Sequence, residues 1–129
     1  MTPRIYRVIL PVADVEEATR FYGTLLGTSG ERVSAGRAYF DCGGVVLAVL
    51  DHRADGEDRD FPGPNPEILY LAEAELDAAR RRAEEAGADP GEIERRPWGE
   101  TSFYVRDPWG NTLCFAAEGT EFTGGRFIR

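Results

Sequence analysis

Residues 101–117 read TSFYVRDPWGNTLCFAA, two short apolar runs around the pentapeptide Asp107-Pro108-Trp109-Gly110-Asn111. The runs are rich in β-branched and aromatic residues, which favour strands, and Asp, Pro, Gly and Asn favour tight turns. The stretch therefore predicts strands over residues 101–106 and 112–117, joined by the pentapeptide.

The same pattern occurs 66 residues earlier in the chain. That shift places Asp41 on Asp107, Gly44 on Gly110 and Ala48 on Cys114. Glycines again mark the turns between short β-branched or aromatic runs. The predicted strands on either side of these turns are 31–35, 38–42 and 45–51 in the first half, and 94–97 before the hairpin in the second half.

A strand and a helix precede each of these sets of strands. In the first half, the strand is predicted at 5–12, and Asp14 with Glu17 forms a capping-box pattern. Apolar residues then recur at helical spacing until Gly27. In the second half, a strand is predicted at 67–72, followed by a weaker helix from Leu76 to about Gly87. A shift of 61 aligns these two beginnings.

Both halves therefore follow the order βαβββ, and the predicted fold class is α+β with two βαβββ modules. The first module spans about 4–51, a polar linker 52–66, the second module about 67–117 and a C-terminal tail 118–129, all within one domain, 1–129. One helix covers only one face of a four-stranded sheet. The other face needs a partner sheet, and two such units enclose a cleft in which we expect the site.

The composition excludes several classes of partner. The chain has 23 acidic and 15 basic residues and a formal net charge of −8, so nucleic acid and anionic membranes are not expected as partners. It has no apolar run near the roughly 18 residues of a membrane span. Cys42 and Cys114 form no CxxC pair. With no secretory signal in residues 1–7, we expect free thiols and a cytoplasmic location.

Two ordered motifs resemble those of a known superfamily. The first is Val12-Ala13-Asp14 with Phe21-Tyr22 and Leu25-Leu26-Gly27; the second is Trp98-Gly99, Phe103 and residues 107–111. Together they resemble the vicinal-oxygen-chelate superfamily of glyoxalases, bleomycin-resistance proteins and dioxygenases, and residues 107–111 are most similar to the bleomycin-resistance type. The resemblance covers about residues 5–117. It implies paired modules, a homodimer and U-shaped clefts.

In many enzymes of that superfamily, His, Gln or Glu side chains hold a divalent metal, which two adjacent substrate oxygens chelate. The resemblance places these ligand positions on Arg7, Ala48, Ile68 and Cys114. Arginine stays protonated, alanine and isoleucine have no donor atom, and one cysteine does not hold a metal. We therefore expect no cofactor. A metal held by non-standard ligands such as Glu67 or Glu118 is the alternative, and His52 is expected to be an exposed loop residue.

The predicted function is binding of a small aromatic or amphipathic molecule in the cleft without a metal, and no catalytic residue is assigned. The alternatives are a metal-dependent lyase, isomerase or ring-cleaving dioxygenase, or a metal-free isomerase or lyase using Arg7, so whether the chain is an enzyme stays open. Arg7 pairs with either an internal carboxylate or a ligand anion. Cys114 is either a nucleophile or a small buried residue. The predicted ligand-binding residues are Arg7, Ile9, Ala48, Ile68, Tyr70, Trp98, Phe103 and Cys114.

Overall fold

The computed structural model describes residues 2–121 and contains two α+β units with the predicted order βαβββ. The end of the predicted C-terminal tail, residues 122–129, lies outside the described residues. The first unit consists of β1 (Arg7–Pro11), α1 (Val15–Leu26), β2 (Glu31–Ser34), β3 (Arg37–Cys42) and β4 (Val45–Leu50). The second consists of β5 (Leu69–Glu73), α2 (Leu76–Glu85), β6 (Glu94–Arg95), β7 (Thr101–Arg106) and β8 (Thr112–Ala117).

The ends of α1 follow the sequence signals. The Asp14 side chain accepts a hydrogen bond from the Glu17 backbone N–H at 3.0 Å, and Gly27 ends the helix with a positive φ of 69°. Strand β6 is shorter than predicted. The Arg96 backbone N–H donates to the Glu100 carbonyl at 2.7 Å, so the chain already turns where the sequence predicts a strand to Pro97.

Each unit forms one four-stranded sheet. The strand order is β1-β4-β3-β2 in the first sheet and β5-β8-β7-β6 in the second, with β1 parallel to β4 and β5 parallel to β8. Helices α1 and α2 pack against each other, and one shared core contains the helix-facing side chains of both sheets. The opposite face of each sheet, which we call its open face, points away from the helices.

A buried carboxylate joins the two units. Asp107 is 5% exposed, and its Oδ1 accepts hydrogen bonds from the backbone N–H groups of Trp109 and Asn111, both at 2.9 Å. Its Oδ2 accepts from the Tyr22 hydroxyl at 2.6 Å and from Asn111 Nδ2 at 2.8 Å. The turn of the second unit is thereby fixed to helix α1 of the first.

Two asparagines extend this junction to β1 and the linker. Asn111 Nδ2 also donates to the Pro11 carbonyl at 2.8 Å, and Asn111 Oδ1 accepts from the Asn65 backbone N–H at 2.9 Å. Asn65 Nδ2 in turn donates to the Ile9 carbonyl at 2.7 Å. We refer to Tyr22, Asn65, Asp107 and Asn111 together as the Asp107 junction.

The linker packs more closely than its composition indicates. His52 was expected to be exposed, but it is 8% exposed: Glu57 Oε2 lies 2.8 Å from its Nδ1, and Arg59 NH2 lies 2.9 Å from the same atom. Asp55 accepts from the Gly36 backbone N–H and from Arg37 Nε, both at 3.0 Å. Specific polar partners, which hydrophobic patterning does not record, therefore hold the linker on the first sheet.

We expect Asp107→Ala to lower the free energy of unfolding by about 3 kcal/mol or more, because it leaves several buried donors without an acceptor. Asp41→Ala is the matched control. Asp41 occupies the equivalent place in the first unit, but it is exposed, and within residues 2–121 its side chain accepts only from the Gly44 backbone N–H. Asp41→Ala should lower the free energy of unfolding by about 1 kcal/mol or less. Urea unfolding followed by circular dichroism measures both, and equal losses would contradict the role given to Asp107.

Burial raises the pKa of the Tyr22 phenol, and the charge and hydrogen bond of Asp107 raise it further. Above about pH 10 an unfolded tyrosine loses its proton while folded Tyr22 keeps it. The folded chain then binds more protons than the unfolded chain. The contribution of Tyr22 to stability is therefore complete below about pH 10 and decreases as the pH rises further. Tyr22→Phe should give a flatter decline in unfolding free energy between pH 9 and 11. Parallel curves for the two proteins would show that Tyr22 does not carry this dependence.

Candidate functional site

On the open face of the first sheet, a row of three side chains crosses the neighbouring strands β1, β4 and β3. Ile9 on β1 pairs with Ala48 on β4, which pairs with Tyr39 on β3. Arg7 lies two residues before Ile9 and pairs with Val46, so its side chain shares this face. Three predicted site residues, Arg7, Ile9 and Ala48, are therefore neighbours on one open face.

The second sheet repeats this row. Tyr70 on β5 pairs with Cys114 on β8, which pairs with Tyr104 on β7. Ala48 and Cys114, the equivalent central residues of the two rows, are both fully buried. Tyr70 is 54% exposed. Two more predicted residues, Tyr70 and Cys114, thus share the other open face.

The placement predicted for Phe103 is wrong. Phe103 is fully buried on the helix-facing side of the second sheet and stacks on Phe115, with ring centroids 5.2 Å apart. Successive residues of a strand point to opposite faces, so Tyr104 occupies the open face instead. Ile68 is half-buried just before β5, and Trp98 lies in the turn between β6 and β7. Trp98 is 62% exposed, and its Nε1 donates to Glu100 Oε1 at 2.7 Å.

Arg7 is half-buried and held by two aromatic rings. Its guanidinium carbon lies 5.1 Å from the ring centroid of Tyr6 and 5.4 Å from that of Tyr39, and its NH1 donates to the Tyr39 hydroxyl at 2.6 Å. Among residues 2–121, no carboxylate lies within 4.0 Å of its nitrogens. Of the two partners that the sequence left open for Arg7, an internal carboxylate is therefore not found among these described residues.

A similar pairing of arginine and tyrosine occurs on the second sheet. Arg96 lies over the Tyr104 ring at 4.8 Å, and its Nε donates to Ser102 Oγ at 3.0 Å. Burial is the main cause that raises the pKa of Tyr104, with smaller contributions from Cys114 and Tyr70. Each open face thus presents a tyrosine with an arginine stacked on it.

Sequence reasoning selected neither Tyr39 nor Tyr104, although a signal for Tyr39 exists. The two-residue turn Gly43-Gly44 pairs Cys42 with Val45, and counting back along both strands puts Tyr39 opposite Ala48. Arg96 has no such signal, because it lies in an irregular turn whose direction no periodicity predicts.

The four positions at which the resemblance implies metal ligands do not fit a metal in this chain. Arg7 and Ala48 share one open face and Cys114 lies on the other, so the one possible ligand among them stands alone. Glu67 and Glu118, the proposed substitutes, are both exposed. Within residues 2–121, no three His, Cys, Asp or Glu side chains form a group that could hold a metal ion.

The surroundings of Cys114 make its thiol a weak nucleophile. Burial is the largest cause that raises the pKa of its thiol, and hydrogen bonds with Ser102 and Tyr104 offset this only in part. A thiol with a raised pKa stays protonated at neutral pH and is a poor nucleophile. Of the two roles considered for Cys114, the structure favours the small buried residue.

An apolar hollow of about 630 Å³ lies between β1 and β5, the outer strands of their sheets. Its walls include the helix-facing side chains of Val8 and Leu47 and, from the second sheet, Phe115. Neither Arg7 nor Cys114 lines it. Tyr70, which lies on the open face of the second sheet, does line it, so the hollow adjoins that face at β5.

The fold and the two motifs agree with a family comparison. The model of the Glyoxalase/Bleomycin resistance protein/Dioxygenase superfamily matches residues 4–115. The chain belongs to this superfamily. The described residues include no helix that is both long and apolar enough to span a membrane. A comparison with curated proteins gave no match.

Solved structures from the superfamily share the fold at low sequence identity. A glyoxalase-related enzyme from Fulvimarina pelagi superposes with a TM-score of 0.76 at 20% identity, over 96% of this chain and 94% of that one. A glyoxalase/bleomycin resistance protein/dioxygenase from Nocardioides gives 0.70 at 23%, over 97% and 87%. Lactoylglutathione lyase from Agrobacterium tumefaciens gives 0.69 at 21%, over 91% and 95%. At these identities, the likeness establishes the fold.

The two thiols should differ in reactivity. Cys42 is half-buried and Cys114 fully buried, so we expect Ellman's reagent at pH 8 to modify Cys114 at least about tenfold more slowly than Cys42. Comparing Cys42→Ser with Cys114→Ser assigns each phase of the reaction. Rapid modification of Cys114 in the Cys42→Ser protein would reopen its role as a nucleophile.

Proposed function

We propose that the protein binds a small aromatic or amphipathic organic molecule against the open faces of its sheets without a metal ion. The observation that carries this proposal is Arg7. Arg7 stands at a position where the resemblance to the superfamily implies a metal ligand. Its half-buried guanidinium is held by two aromatic rings, and no carboxylate of residues 2–121 neutralises it.

The open faces provide the contacts that a flat molecule needs. Ile9 and Val46 offer apolar surface beside Arg7, and Tyr70 offers an exposed ring on the other sheet. Trp98, at the end of the β6–β7 hairpin, adds a second exposed ring near the margin of that sheet. Aromatic side chains bind flat ligands through stacking and burial of area, with no chemical step.

A homodimer is part of this proposal. Each open face is one wall, and in the chain described here no strand of one sheet is hydrogen-bonded to a strand of the other. A second copy supplies the missing wall if its second sheet faces the first sheet of its partner. The outer edges of β1 and β5 also have no strand partner within residues 2–121, and such edges favour association.

The test uses 2-naphthamide, a neutral flat probe, and protein treated with EDTA. We expect saturable binding in calorimetry and a rise in Tm that added nickel or manganese does not increase. Tyr70→Ala should weaken binding by roughly tenfold through loss of the ring, whereas Tyr70→Phe should retain it. Native mass spectrometry of the same samples should show a dimer that carries the probe.

Two results would overturn the proposal. One is binding that appears only after a divalent ion is added, which would favour the metal-dependent alternative. The other is the absence of any binding with or without metal. A monomer that binds the probe normally would remove the homodimer and leave the binding function.

A further inference from the structure

We infer that the ligand carries a carboxylate and that Arg7 and Tyr39 bind it; this inference rests on the proposed binding function. The ligand class is a flat organic acid whose charged group lies against Arg7 and whose apolar body covers Ile9 and Val46. The argument depends on how Arg7 differs from the other arginines of this acidic chain.

The other half-buried arginines each have a carboxylate within 4.0 Å. Arg37 pairs with Asp55 at 3.0 Å and Arg82 with Glu73 at 2.7 Å. The two remaining ones follow the same rule: Arg80 has Glu84 and Glu92, and Arg96 has Glu94. Removing a cation from water without a counter-ion is costly. Arg7 is the exception within residues 2–121, and a ligand carboxylate would supply its counter-ion.

The donors around Arg7 suit a planar anion. A guanidinium has five N–H groups in a rigid fork, and among contacts within residues 2–121 only NH1 of Arg7 is engaged, with the Tyr39 hydroxyl. That leaves donors for a carboxylate, which arginine binds through two parallel hydrogen bonds. The rings of Tyr6 and Tyr39 hold the fork in place without neutralising its charge.

Tyr39 supplies a further donor. Its hydroxyl oxygen accepts from Arg7 NH1 at 2.6 Å and from Arg37 NH1 at 3.4 Å. Because both arginines can only donate, the hydroxyl hydrogen of Tyr39 points to neither of them. It is available to a carboxylate oxygen placed on Arg7. Since Asp55 already neutralises Arg37, the attraction for the anion centres on Arg7.

The chain as a whole repels anions, because its formal net charge is −8. An organic acid is therefore not drawn to the surface in general, and its binding depends on a local cation. Comparing a negatively charged probe with a neutral one therefore tests whether such a local cation binds the ligand.

The experiment compares 2-naphthoate with 2-naphthamide, which share one flat body and differ in charge. Calorimetry on the full chain should show naphthoate binding at least about tenfold more tightly. Arg7→Gln should remove this preference, so that both probes bind with similar affinity. Arg7→Lys should restore part of the preference, because a lysine keeps the charge and loses the fork. Tyr39→Phe should weaken naphthoate more than naphthamide.

Arg20→Gln is the matched control, because it removes the same charge from an exposed position on α1 and should leave the preference intact. Circular dichroism and the urea unfolding midpoint of Arg7→Gln check that this variant is folded. Equal affinity of the wild type for both probes would overturn the inference and leave the proposed function standing. A preference that survives in Arg7→Gln would also overturn it, by placing the cation elsewhere. Binding of neither probe would remove both proposals.

Discussion

The buried carboxylate of Asp107 is the interaction on which the arrangement of the two modules depends. It accepts hydrogen bonds from Trp109, Asn111 and Tyr22, and no cation lies within 4.0 Å of it in residues 2–121. A carboxylate without a salt bridge is tolerated inside a protein only when hydrogen bonds satisfy its oxygens. This requirement fixes the turn after β7 against helix α1. Through Asn111 it also fixes β1, the strand that carries Arg7 and Ile9.

The two modules show how one repeat serves two purposes. Asp41 and Asp107 occupy equivalent turns, and Asp41 only caps the turn of its own hairpin, at the Gly44 backbone N–H. Asp107 accepts from two backbone N–H groups of its own turn, those of Trp109 and Asn111, and it also accepts from Tyr22 of the other module. The difference follows from burial, because only the second turn lies beside Tyr22 and the end of β1. The repeat therefore sets the fold of each module, and the Asp107 junction sets their relation.

The sequence predicts those features of this molecule that depend on local chemistry. Asp14 and Gly27 mark the ends of α1, and residues 107–111 place β7 and β8 at their observed bounds. Errors arise where a choice depends on direction or on distant partners. Phe103 and Tyr104 are both aromatic and adjacent, so only the register of β7 against β8 decides which one lines the open face. His52 is buried by Glu57 and Arg59, which no periodic pattern connects to it.

Under the proposed function, an arginine at residue 7 changes the chemistry of the site but keeps a preference for two adjacent oxygens. A metal in this superfamily accepts two adjacent oxygens of a substrate, as the resemblance implies. A guanidinium also engages two oxygens side by side, but it does so by donating hydrogen bonds. It cannot polarise a carbonyl as a metal ion does, and neither Ala48 nor the protonated Cys114 restores that ability. The proposed binding of an organic acid uses the same geometric preference for paired oxygens, without a Lewis acid.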